Sequence, residues 1–234
     1  MVVVNIANPL APKVESKIGA PDLVDAQGVA IQFRYAFVVD RQGLKVLDVT
    51  ALAHPRVVPG ANILLEDARN IYVARTYAYV AGGKQGLVIV DVERPEHPRI
   101  DQVFTGQPGH PGALDDTRDV KLAMTAASAF AYIADGTNGM RIVQLFAPND
   151  TPNYLGFSPK PTPKLIATYR TKGPALAVSK GIDRDRAVDE DGNQLAVFNR
   201  RGSRPFNREE AQRLYLRNGQ VFTVTNDPPG PAGK

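Results

Sequence analysis

Three histidines, no cysteine and scattered carboxylates are what this 234-residue chain offers for chemistry. The absence of cysteine excludes disulfides, thiolate nucleophiles, Cys-ligated zinc, iron–sulfur clusters and covalently attached c-type haem. His54 and His97 each precede a proline and stand 43 residues apart. Equivalent positions on neighbouring repeats are a sheet's width apart, so these histidines are expected to pack turns, not to share a metal with His110. Asp183, Asp185, Asp189, Asp191 and Asn193 invite a calcium reading. An EF-hand-like loop started at Asp189 puts Gln194 where glycine is required and Arg200 where an acid is required, so the match fails. Asp115, Asp116 and Asp135 could gather at one rim for acid–base work, but no neighbouring base or nucleophile singles them out. There is no Gly-x-Ser-x-Gly, no His-Glu-x-x-His, no phosphate loop and no dinucleotide fingerprint. No catalytic residue, metal site or cofactor is therefore assigned.

Charge is uneven. Residues 164–217 hold twelve Lys and Arg against seven Asp and Glu, whereas residues 1–163 hold 15 against 16. Arg200, Arg201, Arg204 and Arg208 cluster in the basic part, as a patch able to dock on an acidic partner. Phe198, Phe206 and Tyr215 lie nearby at core spacing rather than as a stacking platform, so nucleic acid is not the expected partner. With 43% hydrophobic and 22% charged residues the chain reads as soluble and globular, and no apolar run approaches the roughly 20 residues that span a bilayer.

The elements that must position these residues recur. Tyr35-Ala36-Phe37-Val38-Val39-Asp40 is echoed by Tyr77-Ala78-Tyr79-Val80-Ala81-Gly82 and by Phe130-Ala131-Tyr132-Ile133-Ala134-Asp135. Each is followed by a glycine turn (Gly43, Gly86, Gly139) and a second apolar run. The period is 43 from Gly43 to Gly86, and stepping back 43 from Asp48 lands on Asn5, so the N-terminus is the second half of one more copy. Gly86 to Gly139 is 53, an excess that fits the Gly/Pro-rich insert around residues 106–112. Short runs rich in Val, Ile, Tyr and Phe between Gly, Pro and Asp argue strands, four to a copy. Such a meander has two faces to cover, so the copies must stack; a ring of four-stranded sheets is a β-propeller. Leu87 to Val90 is apolar on both faces, as expected between two sheets, and Lys45 in place of Val88 predicts a wetter face in the first copy. Asp48 and Asp91 are placed to accept backbone N–H groups in the next turn.

Leu87-Val88-Ile89-Val90-Asp91 spells the signature after which the LVIVD repeat family is named. Leu44-Lys45-Val46-Leu47-Asp48, Met140-Arg141-Ile142-Val143-Gln144 and Val2-Val3-Val4-Asn5 look like degenerate copies. The resemblance covers about residues 1–146 and weakens toward Thr171, with Gln144 and the Pro-rich inserts as departures. It implies a propeller-like fold in bacterial or archaeal proteins that are secreted, periplasmic or on the cell surface. It carries no shared catalytic residue.

The expectation is thus an all-β, propeller-type chain: a half blade over 2–20, blades over about 22–62, 65–106 and 117–171, a divergent hairpin and short helix within 172–226, and a disordered tail over 227–234. The hairpin is read across Asp191-Gly192, and the helix over 207–217, capped by Asn207 and ended by Asn218-Gly219. A closed ring has about four to eight blades. Either the C-terminal hairpin completes the opening half blade, or a partner supplies blades, or the chain is a fragment; the missing export signal favours the fragment. The leading functional expectation is a non-enzymatic scaffold outside the cytoplasm that binds a protein or polysaccharide through its blade loops. The alternatives are an accessory module beside a multihaem cytochrome and a propeller hydrolase or lyase with a carboxylate rim.

Overall fold

The computed structural model describes residues 1–107, 112–124 and 128–179, and the pairs Arg200–Arg201, Arg204–Pro205, Leu216–Arg217 and Gln220–Val221. The chain divides into two compact units, Met1–Lys180 and Gly181–Lys234. No helix occurs among the described residues.

In the first unit the alternating apolar runs become three four-stranded antiparallel meanders. The first sheet is β3 (Gly28–Gln32), β4 (Tyr35–Asp40), β5 (Gly43–Asp48) and β6 (Arg56–Leu64). The second is β7 (Asn70–Ala74), β8 (Tyr77–Ala81), β9 (Leu87–Asp91) and β10 (Arg99–Phe104). The third is β11 (Asp119–Met124), β12 (Ala129–Ala134), β13 (Met140–Phe146) and β14 (Lys164–Tyr169). Before them, β1 (Val2–Asn5) pairs with β2 (Lys13–Lys17) as a two-stranded sheet.

Register shows that these are copies of one unit. Asn5 faces Lys13, Asp48 faces Arg56 and Asp91 faces Arg99, each step being the 43-residue period. Gln144 faces Lys164 at the same place in the third sheet. Two residues further on the outer strand skips a partner in every copy: at Glu15, at Asp101 and at Ile166, and across residues 58–61 in the first sheet. That widest bulge holds Pro59, which has no N–H to give a ladder. The side chains ending the third strand close the next turn as expected. Asn5, Asp48 and Asp91 each accept the backbone N–H two residues on, from Ala7, Thr50 and Glu93, at 3.0, 2.8 and 2.9 Å. Gln144 instead donates to Ser128 Oγ at 3.1 Å, and its strand runs on into a 17-residue connection, 147–163.

The alternation in Leu-Val-Ile-Val is what stacks the sheets. Val88 and Val90 pack with Phe37, Val39, Leu44 and Val46 of the first sheet. Leu87 and Ile89, on the opposite face, pack with Val120, Ile133, Val143 and Leu145 of the third. Both sides of β9 are fully buried. The β1–β2 hairpin lies on the outer side of the first sheet, where Met1 and Ile18 meet Ala36, Val38 and Leu47. The sheets thus follow one another face to face, as propeller blades do. The ten-residue excess is split. Gly28 to Asn70 spans 42 residues and Asn70 to Asp119 spans 49, and the remainder separates β11 from β12.

In the second unit one expectation is corrected. Leu216–Arg217, placed in a helix by sequence, is a strand paired with Gln220–Val221, Leu216 opposite Val221. In sequence the two strands are separated by Asn218-Gly219, a pair favoured in two-residue hairpins as well as at helix stops. The rest of the expected helix, the hairpin around Asp191-Gly192 and the tail over 227–234 lie outside the described residues.

Candidate functional site

Antiparallel meanders put all connections between successive sheets, and all turns between second and third strands, on one rim. The inter-sheet connections repeat an element that sequence reading missed: Leu23-Val24-Asp25-Ala26-Gln27, Leu65-Glu66-Asp67-Ala68-Arg69 and Leu114-Asp115-Asp116-Thr117-Arg118. The leucines are buried and anchor the connection. The aspartates face outward and each holds a guanidinium. Asp67 meets Arg69 at 2.9 Å, and Asp116 grips Arg118 through both oxygens at 2.7 and 3.0 Å. That carboxylate raises the Arg118 pKa above its ordinary value. In the first connection Gln27 replaces the arginine, and Asp25 instead pairs with Arg41 of the adjoining turn at 2.9 Å.

Behind this ladder lies a second layer. Asp40 and Asp135 close the second strand at equivalent positions and are fully buried. Asp40 accepts the Val24 and Gln42 N–H groups at 2.9 and 2.8 Å and pairs with Lys45 Nζ at 2.9 Å. Burial alone would raise its pKa, but these donors outweigh burial and hold it below the usual carboxylate value. Lys45 is partly exposed where Val88 is fully buried, in line with the wetter face expected there, and its ammonium is shared among Asp40, Asp22 O and Gln42 Oε1. Asp135 accepts the Asp116 N–H at 3.1 Å and Asn138 Nδ2 at 3.0 Å, with Arg141 Nε 3.8 Å away. With the cation that much farther off, burial dominates and pushes its pKa up. The second sheet has Gly82 and Val88 at these two positions, so acid and base are either both present or both absent.

The inner strands are tied at their first residues. Asn70 Nδ2 donates to Asp119 Oδ1 at 2.6 Å, joining the second sheet to the third, and the same oxygen receives Lys121 Nζ at 2.8 Å. The Val178 N–H donates to Asp119 Oδ2 at 2.8 Å.

Asp115, Asp116 and Asp135 do come together, yet each is held by Asn138, Arg118 or a backbone amide. Such carboxylates fix loops. His54 and His97 sit in matching turns, their own N–H groups donating to Ala51 O and Arg94 O at 2.8 Å each. They occupy connections of successive sheets and do not converge. Among the described residues no three His, Asp or Glu side chains are grouped to hold a metal. Arg200 and Arg201 (β15) pair with Arg204–Pro205 (β16), so three of the four clustered arginines share one short hairpin. Arg208, His110 and residues 183–193 lie outside the described residues.

A shallow recess of about 230 Å³ opens on the rim between the first two sheets, lined by Asp25, Gln27, Arg41, Glu66, Asp67 and Arg69. Its walls are polar and already ion-paired, a surface suited to recognition through charge pattern.

No helix among the described residues is long and apolar enough to cross a membrane. No curated protein matches the chain. Of the solved structures, the computationally designed Ika4 protein is similar at 12% identity and a TM-score of 0.40, over 71% of this chain and 84% of that one, too distant to bear on fold or site. The model of the LVIVD repeat matches residues 25–59, 66–103 and 124–148, one stretch within each four-stranded sheet. With its three repeats folded into three equivalent sheets, the chain belongs to the LVIVD repeat family.

Proposed function

We propose that this propeller-like repeat chain is a non-enzymatic scaffold acting outside the cytoplasm, and that it binds a protein or polysaccharide through the rim of inter-sheet connections. The observation that supports this most is the ladder of Asp25–Arg41, Asp67–Arg69 and Asp116–Arg118, repeated from sheet to sheet. Each pair is partly exposed and mounted on a buried leucine, so the charges are fixed in place without being desolvated. Fixed charges of alternating sign select a partner and orient it more than they tighten it. Placement outside the cytoplasm rests on the family. The hairpin carrying Arg200, Arg201 and Arg204, with Arg208 after it in sequence, is the proposed contact for an acidic partner.

The test is biolayer interferometry with the full chain against secreted proteins and cell-envelope polysaccharides of the source organism. The Arg41→Ser/Arg69→Ser/Arg118→Ser variant should bind the captured partner roughly tenfold more weakly, since each exposed pair contributes modestly. Unchanged binding by this variant would overturn the reading. So would turnover of a polysaccharide that Asp116→Asn abolishes.

A further inference from the structure

The opposite rim carries the turns between first and second strands and the connections between third and fourth strands. Among the described residues, four large apolar side chains are more than four-fifths exposed: Leu10 at 96%, Leu155 at 95%, Phe33 at 92% and Phe157 at 82%. All four stand on this rim: Leu10 between β1 and β2, Phe33 between β3 and β4, and Leu155 and Phe157 between β13 and β14. Ile6 and Leu52, each more than half exposed, occupy the same kind of connection.

These tips are held up by structure beneath them. Asn8 Oδ1 accepts the Leu10 N–H at 3.1 Å. Residues 147–163 are strapped to the second sheet by Ser158 Oγ on Thr76 Oγ1 at 2.6 Å and by Gln102 Nε2 on Pro161 O at 2.8 Å, while Tyr154 packs on the core. Phe33 has a φ of +53°, unfavourable for a bulky residue, and the ring this backbone carries points into solvent.

Cations surround the tips. Lys13, Arg56, Arg75 and Arg94 have no carboxylate partner among the described residues, and Arg75 lies over the Phe146 ring at 5.3 Å. Of the acids on this rim, Asp91 is taken by Arg99, Glu96 by Arg34 and Tyr35, and Asp48, opposite Arg56, by the Thr50 N–H, which leaves Glu93 and Asp150. One cavity on the connections of this rim, lined by Asp91, Glu93, Arg94, His97 and Arg99, is polar, and another, lined in part by Phe146, Ala147, Asp150, Thr162 and Pro163, takes in none of the exposed apolar tips, so neither offers them a shared groove. Separate apolar tips spread over several connections, with unpaired cations between them, match a flat deformable layer better than a shaped protein pocket.

We propose that this rim docks on an anionic lipid surface, with Leu10, Phe33, Leu155 and Phe157 entering the headgroup boundary and Lys13, Arg56 and Arg94 meeting the phosphates. This goes beyond the scaffold reading and does not depend on it, because the two rims are opposite and the variants are separate.

The experiment is co-sedimentation of the full chain with phosphatidylcholine vesicles, with and without phosphatidylglycerol. Binding is expected only where phosphatidylglycerol is present. It should fall roughly tenfold or more in Phe33→Ser/Leu155→Ser/Phe157→Ser and again in Arg56→Ser/Arg94→Ser, with circular dichroism unchanged, because all these side chains are outside the core. Failure of the wild-type chain to sediment with anionic vesicles would overturn the proposal. So would undiminished binding by the apolar variant, or a wild-type dimer that this variant dissolves without any vesicle binding.

Discussion

Gly43→Ala should lose about 3–5 kcal/mol of stability in urea unfolding, the combined cost of left-side backbone strain and overpacking. Gly43 has a φ of +130°, and a Cβ there would stand 2.0 Å from Ile63 O and 2.6 Å from Leu65 N. Both contacts are backbone, one in the paired outer strand and one just after it, so neither can swing aside as a side chain would. Gly60 separates the two terms: its φ is +75°, yet nothing lies within 4 Å of the added Cβ. Gly60→Ala should therefore cost only about 1–2 kcal/mol. Equal losses at both sites would show that close approach of the strands is not what selects glycine before the third strand. The same glycine precedes β9 and β13: Cβ atoms at Gly86 and Gly139 would fall 2.6 and 2.2 Å from Phe104 O and Tyr169 O.

Arg141→Val should cost about 3–5 kcal/mol, because it leaves the buried Asp135 carboxylate without its cation. The double change Asp135→Gly/Arg141→Val should restore most of that loss. It copies residues the protein already uses in a turn of equal length, where Gly82 and Val88 hold the two positions. The turn backbones match closely. Gly82 and Asp135 N–H donate to Gly86 O and Gly139 O at 2.9 and 2.8 Å, and Gln85 and Asn138 N–H both span 2.9 Å to Gly82 O and Asp135 O. A double variant as unstable as the single one would mean that the carboxylate, through the Asp116 N–H and Asn138, does more than accompany Arg141. Chemical unfolding of the four chains in this cycle measures the coupling directly.

The repeat was legible because its marks are local: a glycine, four apolar residues facing alternate ways, then Asp or Asn closing a turn. Those marks predicted the stacking through Leu87 and Ile89 on one side and Val88 and Val90 on the other. The Asp-x-Arg element of the rim escaped notice because its spacing changes from 42 to 49 residues, so no fixed step finds it. Lys45 was legible as the wetter position of its face, but strand alternation alone does not name its partner Asp40. Placing Asp40 with Lys45, Asp135 with Arg141 and Gly82 with Val88 side by side shows that the positions change together. Asn218-Gly219 misled for a different reason: the pair ends helices and turns hairpins alike, and only a strand on each side decides between them.

Most directly, methyl NOE spectra of the Ile, Leu, Val-labelled chain test whether the copies stack in order. The account predicts that, across sheets, Val88 and Val90 contact methyls of the first sheet such as Val39, Leu44 and Val46, and Leu87 and Ile89 those of the third such as Val120, Ile133, Val143 and Leu145. Contacts from one face of β9 to both neighbouring sheets, or from Val46 to Val143, would contradict it.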